Sequence, residues 1–233
     1  MAIFFVLLLA VQLGCGGGPS SEQASEPERS SVEVPGSAEQ PSQATADSRP
    51  VIVAFGDSLT AGHGLRAGQS YPDFLQQELD RKGYAYQVRN EGISGDTTSA
   101  GLVRVGIVAR LKPAFVIVAF GGNDGLRGLA PDSMKDNLRG TVTALKKAGA
   151  TVVLAGMKLP PNYGREYTDS FEAVFHELAA EMGAPLIPFL LEGVGGYSEL
   201  MQEDGVHPNV DGTRMVAAHV MGYLEPLLDE TSR

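Results

Sequence analysis

Residues 114–124 read Ala114-Phe115-Val116-Ile117-Val118-Ala119-Phe120-Gly121-Gly122-Asn123-Asp124. An unbroken apolar run rich in β-branched and aromatic residues, with no polar alternation, describes a strand buried on both faces. Gly-Gly-Asn-Asp then supplies strong turn chemistry. A strand covered on both sides needs helices above and below it, and the flanking sequence provides them. Apolar runs at 51–55, 151–155 and 185–188, with a weaker strand pattern at 86–90, alternate with helical patterns at 72–82, 98–111, 133–148, 168–182 and 211–228. In the helix expected over 98–111, Leu102, Val105, Val108 and Leu111 fall at helical spacing. Alternation of this kind gives the α/β class with a parallel sheet. Ligands of such sheets sit at the carboxyl ends of strands. Ser58, Gly95 and Asn123 each follow the end of an expected strand, which puts them on one rim.

The chain has 233 residues, 43% hydrophobic and 20% charged, with a net charge of −10. That length accommodates one α/β domain and not two large ones. The acidic balance, without a Lys/Arg cluster, argues against a nucleic-acid partner. Cys15 is the single cysteine, which excludes an internal disulfide and a cysteine-rich metal site.

The first segment is set apart from this domain. Ile3 to Val11 is an apolar run too short to cross a bilayer and suited to the core of a signal peptide. Leu13-Gly14-Cys15 follows and resembles a bacterial lipobox, in which the cysteine becomes the lipidated first mature residue. Residues 1–15 are therefore expected to be a signal peptide, the product to be exported and periplasmic, and the membrane to be a partner through a lipid on Cys15. Residues 16–50, rich in Ser, Glu, Gln, Pro and Ala, bury too little apolar surface to order themselves and read as a disordered linker. A flexible tether of that length would reach roughly 30–35 Å. Residues 51–233 form the expected catalytic domain.

Two motifs far apart in sequence carry chemistry. Phe55-Gly56-Asp57-Ser58-Leu59-Thr60 closes the first strand, and Asp204-Gly205-Val206-His207-Pro208 precedes the last helix. A serine at a strand end can point its hydroxyl into the rim, or serve as a turn or cap residue. It is not the Gly-x-Ser-x-Gly elbow of α/β-hydrolases. Asp204, three residues before His207, can bond one ring nitrogen and leave the other to face Ser58. Gly95 offers a backbone amide and Asn123 a side-chain amide to a developing oxyanion. Asp57 and Asp124 read as structural anchors of their loops, Asp96 or Thr97 as a helix cap, and His63 as a neighbour of the nucleophile strand. The scattered carboxylates lack histidine partners at ligand spacing, so no metal is expected. No phosphate-binding loop or dinucleotide fingerprint opens the first helix, and no cofactor is expected.

Ser58 in Gly-Asp-Ser-Leu-Thr, Gly95 in Gly-Ile-Ser-Gly-Asp-Thr-Thr, Asn123 in Gly-Gly-Asn-Asp and His207 in Asp-Gly-Val-His-Pro together resemble the SGNH (GDSL) hydrolases. Gly121 to Gly128 and Leu159-Pro160-Pro161-Asn162-Tyr163-Gly164 are similar to its thioesterase I/lysophospholipase/arylesterase branch. The resemblance implies a flavodoxin-like three-layer α/β/α fold with a five-stranded parallel sheet. It implies an enzyme, a serine esterase of carboxylic esters or thioesters, with Ser58, Asp204 and His207 catalytic and Ser58, Gly95 and Asn123 forming the oxyanion hole. The expected partner is a small acyl ester or thioester, its acyl group lying along Leu126, Met157, Leu159 and Tyr163, with the first of these on a mobile loop. A carbohydrate O-deacetylase on the same scaffold, or a lipid-anchored binding protein without catalysis, stands as the alternative.

Overall fold

The computed structural model describes residues 48–231. The expected signal segment, Cys15 and the linker up to residue 47 lie outside the described residues. Five strands, β1 (Val51–Gly56), β2 (Gln87–Gly92), β3 (Phe115–Ala119), β4 (Thr151–Ala155) and β5 (Leu186–Ile187), make one sheet in the order β2-β1-β3-β4-β5. Every pairing is parallel. The apolar run that starts the argument is the central strand, buried at all five positions. β2 lies at one edge, where its Arg89, Asn90 and Glu91 meet solvent or partly exposed surroundings. β5, clamped between Pro185 and Pro188, is the short opposite edge.

Helices α1 (Ser58–Ala61), α2 (Tyr71–Lys82), α3 (Thr98–Arg110), α4 (Gly122–Leu126), α5 (Pro131–Lys147), α6 (Arg165–Met182) and α7 (Val210–Thr231) connect and cover the strands. The step from β1 to β2 runs one way across the sheet, and the steps from β2 through β5 run the other. Right-handed crossovers therefore put α2 on one face and α3, α5 and α6 on the other. The packing agrees: α2 lies on α7, while α3 meets α5 and α5 meets α6. The loops after β1 and β3 leave toward opposite faces and open a crevice at the carboxyl ends of these neighbouring strands.

Several boundaries differ from the sequence reading for local reasons. α5 begins at Pro131, whose fixed φ suits a first helical position, two residues before the expected start. α6 begins at Arg165, directly after Gly164. Two short helices replace what read as turns: α1, capped by the Asp57 carboxylate accepting from Leu59 N, and α4, which begins just past Gly121. Gly121 has φ +115°, a conformation other residues rarely adopt, and an added Cβ would press on Phe175 and Met134.

Candidate active site

The segment that carries Ser58, the expected nucleophile, is short and buried at its base. Phe55 and Phe120, at the ends of β1 and β3, meet edge to face at 4.8 Å. Asp57 follows at 2% exposure and caps α1, so Ser58 occupies the first helical turn with its side chain at the rim. Burial raises the Asp57 carboxyl from its ordinary range to about 6, against the pull of its hydrogen bond from Leu59 N and the nearby His207.

His207, the expected base, arrives from the other end of the chain. Between β5 and α7 the backbone folds back on itself: Gln202 N donates to His207 O at 2.7 Å, Asn209 N donates to Leu200 O at 2.9 Å, and Met201 bridges to Pro208. Within this loop Asp204 Oδ1 accepts from Val206 N and His207 N at 2.9 and 3.0 Å. Its Oδ2 meets His207 Nδ1 at 2.7 Å, and His207 Nε2 lies 2.8 Å from Ser58 Oγ. The bond from the His207 amide, then those from its ring and from Val206, hold the Asp204 carboxyl down at about 2. Asp204 is therefore an anion at neutral pH, acting on one ring nitrogen while the other addresses the serine.

The expected oxyanion donors converge on the same cavity, of about 190 Å³, lined by Ser58, Leu59, His63, Gly95, Asn123, Leu126 and His207 among others. Gly95 sits at φ +87°, which turns its peptide where a side-chain-bearing residue would be strained. Among the described residues the Ser58 and Gly95 amides donate to no other group. Asn123 Nδ2 donates to Asp96 O at 2.9 Å and lies 3.4 Å from Asp57 Oδ2. One amide hydrogen is thus fully engaged, and the other makes a long bond that a better acceptor can replace.

Arg104, absent from the sequence reading, supports this side. Its Nε donates to Asp96 Oδ2 at 2.7 Å, Nη1 to Glu91 O at 2.9 Å and Nη2 to Gly56 O at 2.9 Å. The guanidinium lies 4.4 Å from the centre of the Phe55 ring. One cation thus ties the ends of β1 and β2 to the loop that holds Gly95 and the Asn123 amide. The available signal was a cation in the otherwise apolar and small-residue stretch Gly101 to Ala109 of α3. Asp124 is a structural anchor as expected: buried, it accepts from Thr98 N at 2.9 Å and Thr98 Oγ1 at 2.6 Å. Thr97 caps α3, and Asp96 pairs with Arg104 instead.

The four residues expected along the acyl group separate. Leu126 lines the serine cavity and is 41% exposed. Met157 does not line it but lies in the core, because Gly156 N donates to Ile187 O and carries the sheet pairing one residue beyond β4. Leu159 packs against the core beneath Gly125, where an added Cβ would strike it. Tyr163 belongs to a second cavity of about 660 Å³ with Ala130, Arg165 and Tyr167. Tyr163 Oη donates to Leu126 O at 3.1 Å and Tyr167 Oη to Leu129 O at 2.7 Å. Two tyrosines on the 161–167 segment thus hold the wall between the cavities.

Residues 54–215 match the GDSL-like lipase/acylhydrolase family. The chain is 43% identical over 178 residues to the esterase TesA of Pseudomonas aeruginosa, covering 76% of this chain and 89% of that protein. It is 38% identical over 182 residues to thioesterase 1/protease 1/lysophospholipase L1 of Escherichia coli strain K12, covering 78% and 86%. The crystal structure of TesA superposes with a TM-score of 0.74 at 42% identity, covering 76% of this chain and 99% of that one.

Proposed function

The chain belongs to the GDSL-like lipase/acylhydrolase family and is a carboxylic ester hydrolase, and we propose that it works through an acyl-enzyme on Ser58. The observation that carries this reading is the continuous hydrogen-bonded line Asp204–His207–Ser58, with bonds of 2.7 and 2.8 Å. Ser58 Oγ attacks the ester or thioester carbonyl as His207 Nε2 takes its proton. The carbonyl oxygen becomes an anion held by the Ser58 and Gly95 amides and by Asn123 Nδ2, whose long bond to Asp57 gives way. His207 then protonates the departing alcohol or thiol. Water, activated by the same nitrogen, cleaves the acyl-enzyme and restores Ser58.

The substrate class we favour is acyl esters, thioesters or lysophospholipids with chains longer than acetyl. Leu126 and Val206, exposed and lining the serine cavity, support it, since an acetyl group alone needs no apolar surface. The test is hydrolysis of p-nitrophenyl esters from acetyl to palmitoyl by the full chain and by Ser58→Ala. The serine reading requires turnover to fall by about 10⁴-fold or more in the variant. An acetyl-only optimum would move the assignment to a deacetylase. Intact protein that hydrolyses nothing and takes no fluorophosphonate label at Ser58 would be a binding protein. The N-terminal reading is also carried as a proposal: Leu13-Gly14-Cys15 supports export and a lipid anchor at Cys15. Loss of metabolic palmitate labelling in Cys15→Ser is its expected outcome; no labelling of the parent would sink it.

A further inference from the structure

His63 has no part in the steps above, yet it is built into the contact between nucleophile and base. Its backbone N donates to Ser58 O at 3.0 Å, just beyond α1. Its carbonyl accepts from Gln202 Nε2 at 2.7 Å, and the same nitrogen donates to Pro208 O at 2.9 Å. Gln202 thereby clips the His63 backbone to the loop carrying His207. The His63 ring lies against the His207 ring, with 4.6 Å between centroids and 42° between planes. The residue lines the serine cavity and is exposed to solvent. Any flat side chain at that place could make the same contact.

We propose that His63 is a positioning residue for the general base: its ring and its Gln202-clipped backbone brace His207 toward Ser58. The inference rests on His207 acting as the base.

The experiment is kcat and KM for the full chain, His63→Phe and His63→Ala, with a medium-chain p-nitrophenyl ester. His63→Phe keeps a flat face against His207 and should hold kcat within about twofold of the parent. His63→Ala removes the brace and should lower kcat about tenfold, with KM moving less. A kcat in His63→Ala within about twofold of that in His63→Phe would overturn the proposal. If His207→Ala kept full activity, the failure would lie in the assignment of the base instead, and the two failures are distinct.

Discussion

The proposed oxyanion side and the proposed base side of this site are built by different means. On the oxyanion side, Asp57 is buried and the Arg104–Asp96 pair is 13% and 16% exposed, with every arm of the guanidinium engaged. On the base side, Asp204 is 43% exposed and the loop is held by hydrogen bonds that Gln202 and Asn209 donate and that the Asp204 carboxylate accepts. Fixed dipoles stabilise a developing charge most effectively where water is excluded. His207 itself is 16% exposed, as shielded as Asp96; the Asp204 behind it is what meets solvent. Removing one partner of a buried charge pair typically costs about 3–5 kcal/mol, whereas a net hydrogen bond on a surface loop is worth about 1 kcal/mol. The side that must not move is locked by the costlier interactions.

That contrast can be broken by experiment, beginning on the exposed side. Asp204→Asn should lower kcat about 10⁴-fold, since an amide no longer selects the tautomer that presents a bare Nε2 to Ser58. Its melting temperature at pH 7 should hardly change; a large loss of stability would mean that the loop is as locked as the opposite side. Asn123→Ala should lower kcat by about 10²–10³ with little effect on KM. A rise in KM alone would reduce Asn123 to a substrate contact.

The smallest effect separates the two carboxylates by pH. Asp57 titrates near 6 in the fold, above its ordinary 3.8, because burial disfavours its charge. A raised value stabilises the fold below about pH 4, and that contribution is lost as pH rises through 6. Asp57→Asn has no proton to lose, so its stability relative to the parent should improve between pH 4 and pH 8, by about 2–3 kcal/mol at most. Asp204 runs the opposite way: its lowered value, near 2, gives a contribution present above pH 4 and lost as pH falls toward 2, small because the group is exposed. A stability difference for Asp57→Asn that stays flat from pH 4 to pH 8 would show a solvated carboxylate and erase the contrast.

Much of the frame was readable in the residues because the signals were local. Continuous apolar runs gave the strands, and the rim position of Ser58, Gly95 and Asn123 followed from where those runs end. The Asp204–His207 spacing was readable because both groups lie on one short loop. What was not readable depended on where the chain goes afterward. Met157 looked like a pocket wall, but one backbone bond from Gly156 to Ile187 keeps it over the core. Arg104 serves residues far from it in sequence, and its role appears only once β1, β2 and the 93–97 loop are brought together. The His63–His207 contact joins residues separated by most of the domain, and no periodicity encodes it.

The direction of β1 has a practical consequence. Val51 opens the strand and Gly56 closes it at the rim, so about 20 Å of extended backbone separates the point of entry from Ser58. Coupling the domain to a bead or electrode directly at the start of β1 would put the catalytic mouth at the far end of the strand. A fusion partner joined immediately before Val51 would likewise meet the end of the sheet away from the mouth, leaving bulky substrates an open approach.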